Sequence, residues 1–132
     1  MIDKMFSNVD MLKAGLDASW LRNEVIANNI ANVDTPNFKS SSVSFESAFK
    51  KALNQEGFTA KTTRVEHIDF SDNLPHATVA TDTDTTYRMD GNNVNIDAEN
   101  AALAKNQIYY NTLVQQLSSE FSKLKMAINE GK

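Results

Sequence analysis

The chain has 132 residues, of which 41% are hydrophobic and 23% charged, a composition typical of one ordinary soluble domain. Its 13 basic and 17 acidic residues give a net charge of −4, which argues against a dedicated nucleic-acid-binding protein. The chain contains no cysteine, so disulfide scaffolds, cysteine-ligated metal sites and thiol nucleophiles are excluded.

The first predicted element is a long helix over residues 7–33. Ser7 is the expected N-cap, with Asp10 three residues later as in a capping box. The residue before a proline is disfavoured in helical backbone. Because Pro36 follows a run of polar turn residues, we expect this helix to end at or before Val33.

One side of this helix carries a seam with the 3-4 spacing of a coiled coil. Ser19 and Asn23 also fall on the seam, where buried polar residues often fix the register of pairing. The alternative is that the seam drifts around the helix and both side chains face water. We assign the apolar seam to Val9, Leu12, Leu16, Ile26 and Ile30.

The same helix carries a second apolar stripe, formed by Met11, Ala14, Ala18, Leu21 and Val25. A helix that is apolar on more than one side is buried on more than one side. With no third long helix in the chain, we expect another molecule to cover this stripe. The alternative is that the middle region folds back over it.

Residues 36–96 are polar and broken, with few large apolar side chains. We predict a short amphipathic helix over 45–53, ended by Gly57, and short strands at 76–80 and 86–89. Because residues 36–96 carry so little apolar surface, they cannot build a large core of their own. We therefore expect this region to be partly disordered until a neighbour covers it.

The last predicted element is a second long helix over residues 97–129. Asp97 is the expected N-cap, and Gly131 follows the end of the pattern. Its seam again has an unbroken 3-4 spacing, and the expected contacts are Tyr110, Val114, Leu117, Phe121, Leu124 and Ile128. The fold class is therefore mainly α.

The sequence shows no catalytic constellation and no cofactor site. His67 and His76 have no partner at metal-ligand spacing. Residues 82–87 begin like a calcium loop, but Tyr87 stands where the loop needs glycine. We expect no enzyme activity, no metal, no cofactor and no small-molecule substrate.

Asparagines crowd the end of the first helix, at positions 28, 29 and 32. Asparagine adopts left-handed backbone and caps helix ends, which accounts for one or two of them. The flanking small residues Ala27 and Ala31 would let a neighbouring backbone approach and accept hydrogen bonds. We therefore interpret the cluster as a contact site.

Two segments of the chain resemble the bacterial flagellar rod and hook axial protein family. The first is the run that contains Asn28, Asn29, Ile30, Ala31 and Asn32, followed by Asp34, Thr35 and Pro36 and ending at Lys39. The second is the run from Asp90 to Asp97. The resemblance covers about residues 8–53 and 87–130.

The resemblance implies that the long terminal helices pair as an antiparallel coiled coil and polymerise helically. It divides the chain into an N-terminal rod-core helix (1–35), a variable middle region (36–96) and a C-terminal rod-core helix (97–132). Leu16, Ile26 and Ile30 are expected to lie near Leu113, Leu117 and Phe121 or their neighbours, with the register open. The short middle region favours a proximal rod subunit over a distal rod or hook protein.

The function implied is that of a structural subunit that transmits torque and encloses the export conduit. Its implied partners are copies of itself, other rod proteins, the adaptor between membrane ring and rod, and the flagellar type III export gate; nucleic acid is not among them. The N-terminus lacks the features of a cleaved secretory signal, so we expect the periplasmic rod to receive the chain by type III export. Alternatives are another proximal rod protein or a coiled-coil export chaperone or adaptor.

Overall fold

The computed structural model describes residues 2–47, 49–50, 76–86 and 88–129, with the backbone alone for 2–5 and 7. In chain order the elements are α1 (Ile2–Ala31), β1 (Ser41–Ser44), β2 (Thr78–Thr81) and α2 (Ile96–Asn129). The two long helices pack against each other in antiparallel orientation. The predicted mainly helical fold with a small middle region is confirmed.

Helix α1 begins at Ile2, so the prediction that Ser7 caps it is wrong. The earlier start extends α1 alongside the C-terminal half of α2. The helix ends at Ala31, before Val33, as the proline rule predicts.

Helix α2 begins at Ile96, and its N-cap is Asn95 rather than the predicted Asp97. The Asn95 Oδ1 atom accepts the N–H groups of Asp97 at 3.1 Å and Ala98 at 3.3 Å. Asp97 and Glu99 lie in the first turn, where their charge suits the helix dipole. The helix is described as far as Asn129, and the predicted stop at Gly131 lies outside the described residues.

Strands β1 and β2 form a two-stranded antiparallel sheet in which Val43 pairs with Val79. Strand β2 overlaps the predicted strand at 76–80, whereas β1 was not predicted. The described part of the predicted strand at 86–89 forms a turn instead, because the Arg88 N–H donates to the Asn92 carbonyl.

The sheet lies against α1 and closes a small core. Val43 and Phe45 are buried, and a helical turn follows β1, with the Phe49 N–H donating to the Phe45 carbonyl. The rest of the predicted short helix, with residues 51–75, lies outside the described part of the chain. The core residues come from both helices and the segments between them: Ala18, Ile26, Val43, Phe45, Val94 and Leu113.

Candidate assembly interface

Asn29 joins three parts of the chain from one buried side chain. Its amide donates to the Ser41 carbonyl at 2.8 Å and to Glu99 Oε1 at 3.2 Å. Its Oδ1 atom accepts the Ser41 N–H at 3.0 Å. The side chain thus pairs with the Ser41 backbone as a neighbouring strand would, and it ties both β1 and the start of α2 to α1.

Asn92 secures the end of α1 from the other side. Its amide nitrogen lies 3.0, 3.0 and 2.9 Å from the carbonyl oxygens of Asn32, Val33 and Thr35. These three carbonyls lie in the turn that follows α1, beyond its last residue Ala31. Asn92 is fully buried, and its Oδ1 atom accepts the Val94 N–H at 2.7 Å.

The two signature segments, residues 28–39 and 90–97, therefore form one site. Arg88 adds a hydrogen bond to the Val33 carbonyl and salt bridges to Asp34 and Asp90. Asn37 has a φ of 59° and Gly91 a φ of 82°, so both occupy the left-handed region. A Cβ atom at Gly91 would lie 2.5 Å from Asn37 Oδ1, so a larger residue would force the Asn37 side chain to move.

Members of the first signature segment differ in exposure. Asn29 is buried, and Asn32 donates to the Asn28 carbonyl and accepts the Thr35 hydroxyl. Ile30 is half-buried. The remaining members are exposed: Asn28, Ala31, Asp34, Thr35 and Pro36. The sequence suggested that these asparagines bind the backbone of a neighbour. In the structure, Asn29 and Asn32 bind backbone groups of their own chain.

A buried polar pair lies at the centre of the helix contact. The Ser19 hydroxyl donates to Asn106 Oδ1 at 3.0 Å, and the Asn106 amide donates to the Ser19 carbonyl at 2.9 Å. Asn23, the other polar seam residue, is exposed. Of the two interpretations of the polar seam, burial therefore holds for Ser19 and solvation for Asn23.

The helix register follows from contacts at both ends of the pair. Leu113 packs on Gly15, where an added Cβ would lie 3.3 Å from Leu113 Cδ1, and Asn29 reaches Glu99. Ile26 and Ile30 therefore lie beside the first turns of α2, so the expectation that they approach Leu117 and Phe121 is wrong. Small residues at 15 and 19 bring α2 close to α1 at these contacts.

The face of α2 that meets α1 is offset by one residue from the predicted seam. Asn106, Leu113 and Glu120 are the buried residues of α2. The predicted seam residues Leu117 and Leu124 are half-buried, whereas Tyr110, Val114, Phe121 and Ile128 are exposed. On α1, Ile26 is buried, and Val9, Leu12, Leu16 and Ile30 are half-buried. The apolar surface of α2 is thus wider than the strip that α1 covers.

The second stripe of α1 faces the sheet. Ala18 is buried, and the other members are half-buried: Met11, Ala14, Leu21 and Val25. Arg22 holds the sheet there through the Val43 carbonyl at 3.3 Å and Glu46 at 2.6 Å. The expectation that only another molecule could cover this stripe is therefore corrected, because the middle region covers part of it.

On the side away from the sheet, the helix pair leaves an exposed apolar surface. We call it the open face: Trp20, Tyr110, Val114, Phe121 and Ile128. Trp20 is 66% exposed, Phe121 53% and Ile128 72%. Trp20 and Tyr110 border a groove of about 210 Å³ between the helices. Val114, Phe121 and Ile128 follow Tyr110 along one side of α2 at intervals of four and seven residues, so the five side chains share one side.

The remaining polar features suit structure rather than catalysis. A cleft of about 340 Å³ between α1 and the segment at 76–77 brings His76 near Asp10 and Asp17. Among the described residues, no cluster of histidine and carboxylate side chains is arranged to hold a metal ion. In that same part of the chain, neither helix is apolar enough to cross a membrane.

The chain is similar to known flagellar proteins along most of its length. The family model described as "Flagella basal body rod protein" matches residues 15–39. The flagellar basal body rod protein FlgB of Bacillus subtilis is 39% identical over 94% of this chain and 95% of its own length. The chain belongs to the FlgB family of flagellar basal body rod proteins.

Two further relatives carry the same description. FlgB of Borreliella burgdorferi is 35% identical over 92% of this chain and 95% of its own length. FlgB of Aeromonas hydrophila is 33% identical over 81% of each chain. The prediction of a structural, non-enzymatic subunit of the proximal rod is therefore confirmed. The alternatives, a chaperone or another proximal rod protein, are not supported.

Proposed function

We propose that the chain joins the proximal rod by burying its open face against neighbouring rod subunits. The observation that carries this proposal is the exposure of five large apolar side chains beside a helix pair whose own buried polar groups are satisfied. Contiguous apolar surface on a small chain is typical of a protein interface. The face lies on the long helices, so repeated contacts would add up along the rod.

The exposed members of the first signature segment give a second contact. Asn28, Ala31 and Pro36 lie at the outer end of α1, held in place by the bonds of Asn29 and Asn92. A contact there would apply force at the place where hydrogen bonds already connect α1, β1 and the start of α2. Such a junction suits a subunit that transmits torque.

The proposed partners are copies of the chain, other rod proteins, the adaptor between membrane ring and rod, and the type III export gate. The chain would reach the periplasmic rod by type III export without a cleaved signal. Once assembled, the helices would form the wall of the conduit through which later subunits pass. Family membership and the open face support this proposal.

The variant Phe121→Asp tests it, because a carboxylate on the open face would be desolvated on assembly. Phe121 is half exposed, so we expect the chain to fold and to be produced normally. The amount recovered in isolated basal bodies should fall by about tenfold or more, and motility in soft agar should be lost. Gln116→Asp, exposed on α2 outside the open face, is the matched control. Full recovery and normal motility of Phe121→Asp would overturn the proposal.

A further inference from the structure

Met89 projects from the tip of a turn beside the two signature segments. Its side chain is long and apolar, yet it is fully exposed. Two backbone hydrogen bonds close the turn, from the Gly91 N–H to the Arg88 carbonyl at 3.1 Å and from the Arg88 N–H to the Asn92 carbonyl at 3.0 Å. A salt bridge of 3.3 Å from Arg88 to Asp34 ties the turn to the segment after α1. Because this backbone is already fixed, docking of Met89 would cost little conformational entropy.

The groove between the helices, on the open face, can receive one such side chain. Its volume is about 210 Å³. Trp20 and Tyr110 give it aromatic surface, against which the sulfur of a methionine packs favourably. Asn23 and Gln107 also line the groove, and both are exposed. Their amide groups can hydrogen-bond to the backbone of a docked turn, so the groove suits an apolar side chain that a turn carries.

Met89 lies too far from the groove of its own copy to fill it. The turn is bonded to Asp34, beyond the end of α1, whereas Trp20 lies about 20 Å back along that helix at its rise of 1.5 Å per residue. The larger cleft, beside the segment at 76–77, suits an apolar side chain poorly because charged groups line it: Asp10, Lys13 and Asp17. A groove of the right chemistry is therefore available to Met89 on another copy.

We infer that Met89 of one copy docks between Trp20 and Tyr110 of the next copy of the same chain. The turn and the groove are different surfaces of one molecule, so each docked pair still offers a free Met89 at one end and a free groove at the other. A contact of this kind repeats from copy to copy into a ring or an open helix, as a rod requires. This inference rests on the proposed function and names the partner for one part of the open face.

The variant Met89→Glu tests the docking in cells that lack their own copy of the protein. Met89 is fully exposed, so its replacement should leave the urea unfolding midpoint of the free chain unchanged. A carboxylate placed between two aromatic rings would be desolvated. The amount recovered in basal bodies should therefore fall by about tenfold or more, whereas Met89→Leu, which stays apolar, should remain within about threefold of the original chain.

Thr83→Glu is the matched control for this charge. It introduces the same carboxylate at an exposed position on the preceding loop and should leave recovery unchanged. Full recovery of Met89→Glu in basal bodies would overturn the inference. So would an equal loss for Met89→Glu and Thr83→Glu, because the effect would then belong to added charge and not to Met89.

Cross-linking identifies the occupant of the groove, since the chain has no cysteine of its own. A variant with Met89→Cys and Asn23→Cys, treated in basal bodies with a short bifunctional maleimide, should give a ladder of dimers and longer multimers of this chain. Each single-cysteine variant should give no ladder. Products with other proteins would show that the turn or the groove meets a different partner, and no product would show that the two do not meet. Either result contradicts the inference.

A double-mutant comparison separates this contact from the rest of the open face. If Met89 and Trp20 meet across copies, Met89→Ala together with Trp20→Ala should lower recovery about as much as the more harmful of the two alone. Losses that multiply would show that the two side chains act at separate places, and would overturn the inference. If Phe121→Asp is excluded from basal bodies while Met89→Glu is recovered fully, the inference fails and the proposed function stands.

Discussion

Asn92 makes more hydrogen bonds to backbone groups than any other side chain that the structure describes. Its amide group bonds to three carbonyls in the turn after α1, and its oxygen accepts the Val94 N–H ahead of α2. The Asn92 side chain is buried, and a buried polar atom that lacks a hydrogen bond costs about 1–3 kcal/mol of stability. One residue therefore fixes how the two signature segments meet.

The variant Asn92→Asp should destabilise the folded chain. It keeps the shape of the side chain but replaces the N–H donors with an oxygen facing three carbonyl oxygens. We expect the free energy of unfolding to fall by about 2–3 kcal/mol, measured by urea titration of the helical circular dichroism signal. Asn100→Asp, on an exposed position of α2, makes the same chemical change and should have little effect. Equal stability of the two variants would contradict this role.

The ion pair between Glu46 and Arg22 makes the attachment of the sheet to α1 dependent on pH. Burial raises the pKa of Glu46, but hydrogen bonds from its own backbone and from Arg22, with the charge of Arg22, outweigh it. The pKa of Glu46 is therefore lowered from 4.5. Because the folded value lies below the unfolded one, the stabilisation is present above pH 4.5 and is lost as the pH falls through the folded value.

An NMR titration of the Glu46 carboxyl group checks this directly. In the original chain its pKa should lie below 4.5, and Arg22→Gln should move it upward, because the opposite charge is removed. Amide exchange at Val43 should quicken at acid pH in the original chain. An unchanged Glu46 pKa in Arg22→Gln would show that Arg22 does not hold it.

At the scale of the elements, the pairing of α1 with α2 depends on small residues. Gly15 and Ser19 let Leu113 and Asn106 approach the α1 backbone. The buried positions of α2 are consequently one residue earlier than the sequence pattern indicates. Leu113 is 8% exposed, whereas Val114 is 41% exposed.

Truncation of these two neighbours distinguishes the pairing face from the open face. Leu113→Ala removes a buried side chain and should lower the free energy of unfolding by about 2–5 kcal/mol. Val114→Ala removes an exposed one and should change it by less than about 1 kcal/mol. Thermal unfolding of the two purified variants gives the comparison. A larger loss for Val114→Ala would place the helix contact on the predicted seam instead.

Much of this architecture was predictable from the pattern of residues. The two helices, the stop before Pro36 and the two signature segments are local signals. The pairing offset was not predictable, because both sides of α2 are apolar and the contacts of Gly15 and Ser19 decide which one α1 meets. Strand β1, with the sequence Ser-Ser-Val-Ser, carries almost no strand propensity. It forms because Asn29 binds its first residue, 12 positions away. No local pattern shows such a contact.

At the scale of the whole molecule, the two sides of the helix pair differ. The sheet covers one side of α1, and the open face occupies the other side of both helices. The sheet covers part of the apolar surface that the sequence predicts on α1. What stays exposed is concentrated on α2, with Trp20 beside it. The case for obligatory assembly thus depends on the open face, not on the second stripe.

The most direct test of the open face is its protection in the assembled rod. In a chain without other cysteines, Val114→Cys should react readily with a maleimide reagent when the chain is free. In isolated basal bodies its reaction should slow by about tenfold or more, because burial in an interface excludes reagent as well as water. Asp84→Cys should react at similar rates in both states. If Val114→Cys reacts equally fast in the rod and in the free chain, the open face is not an assembly surface.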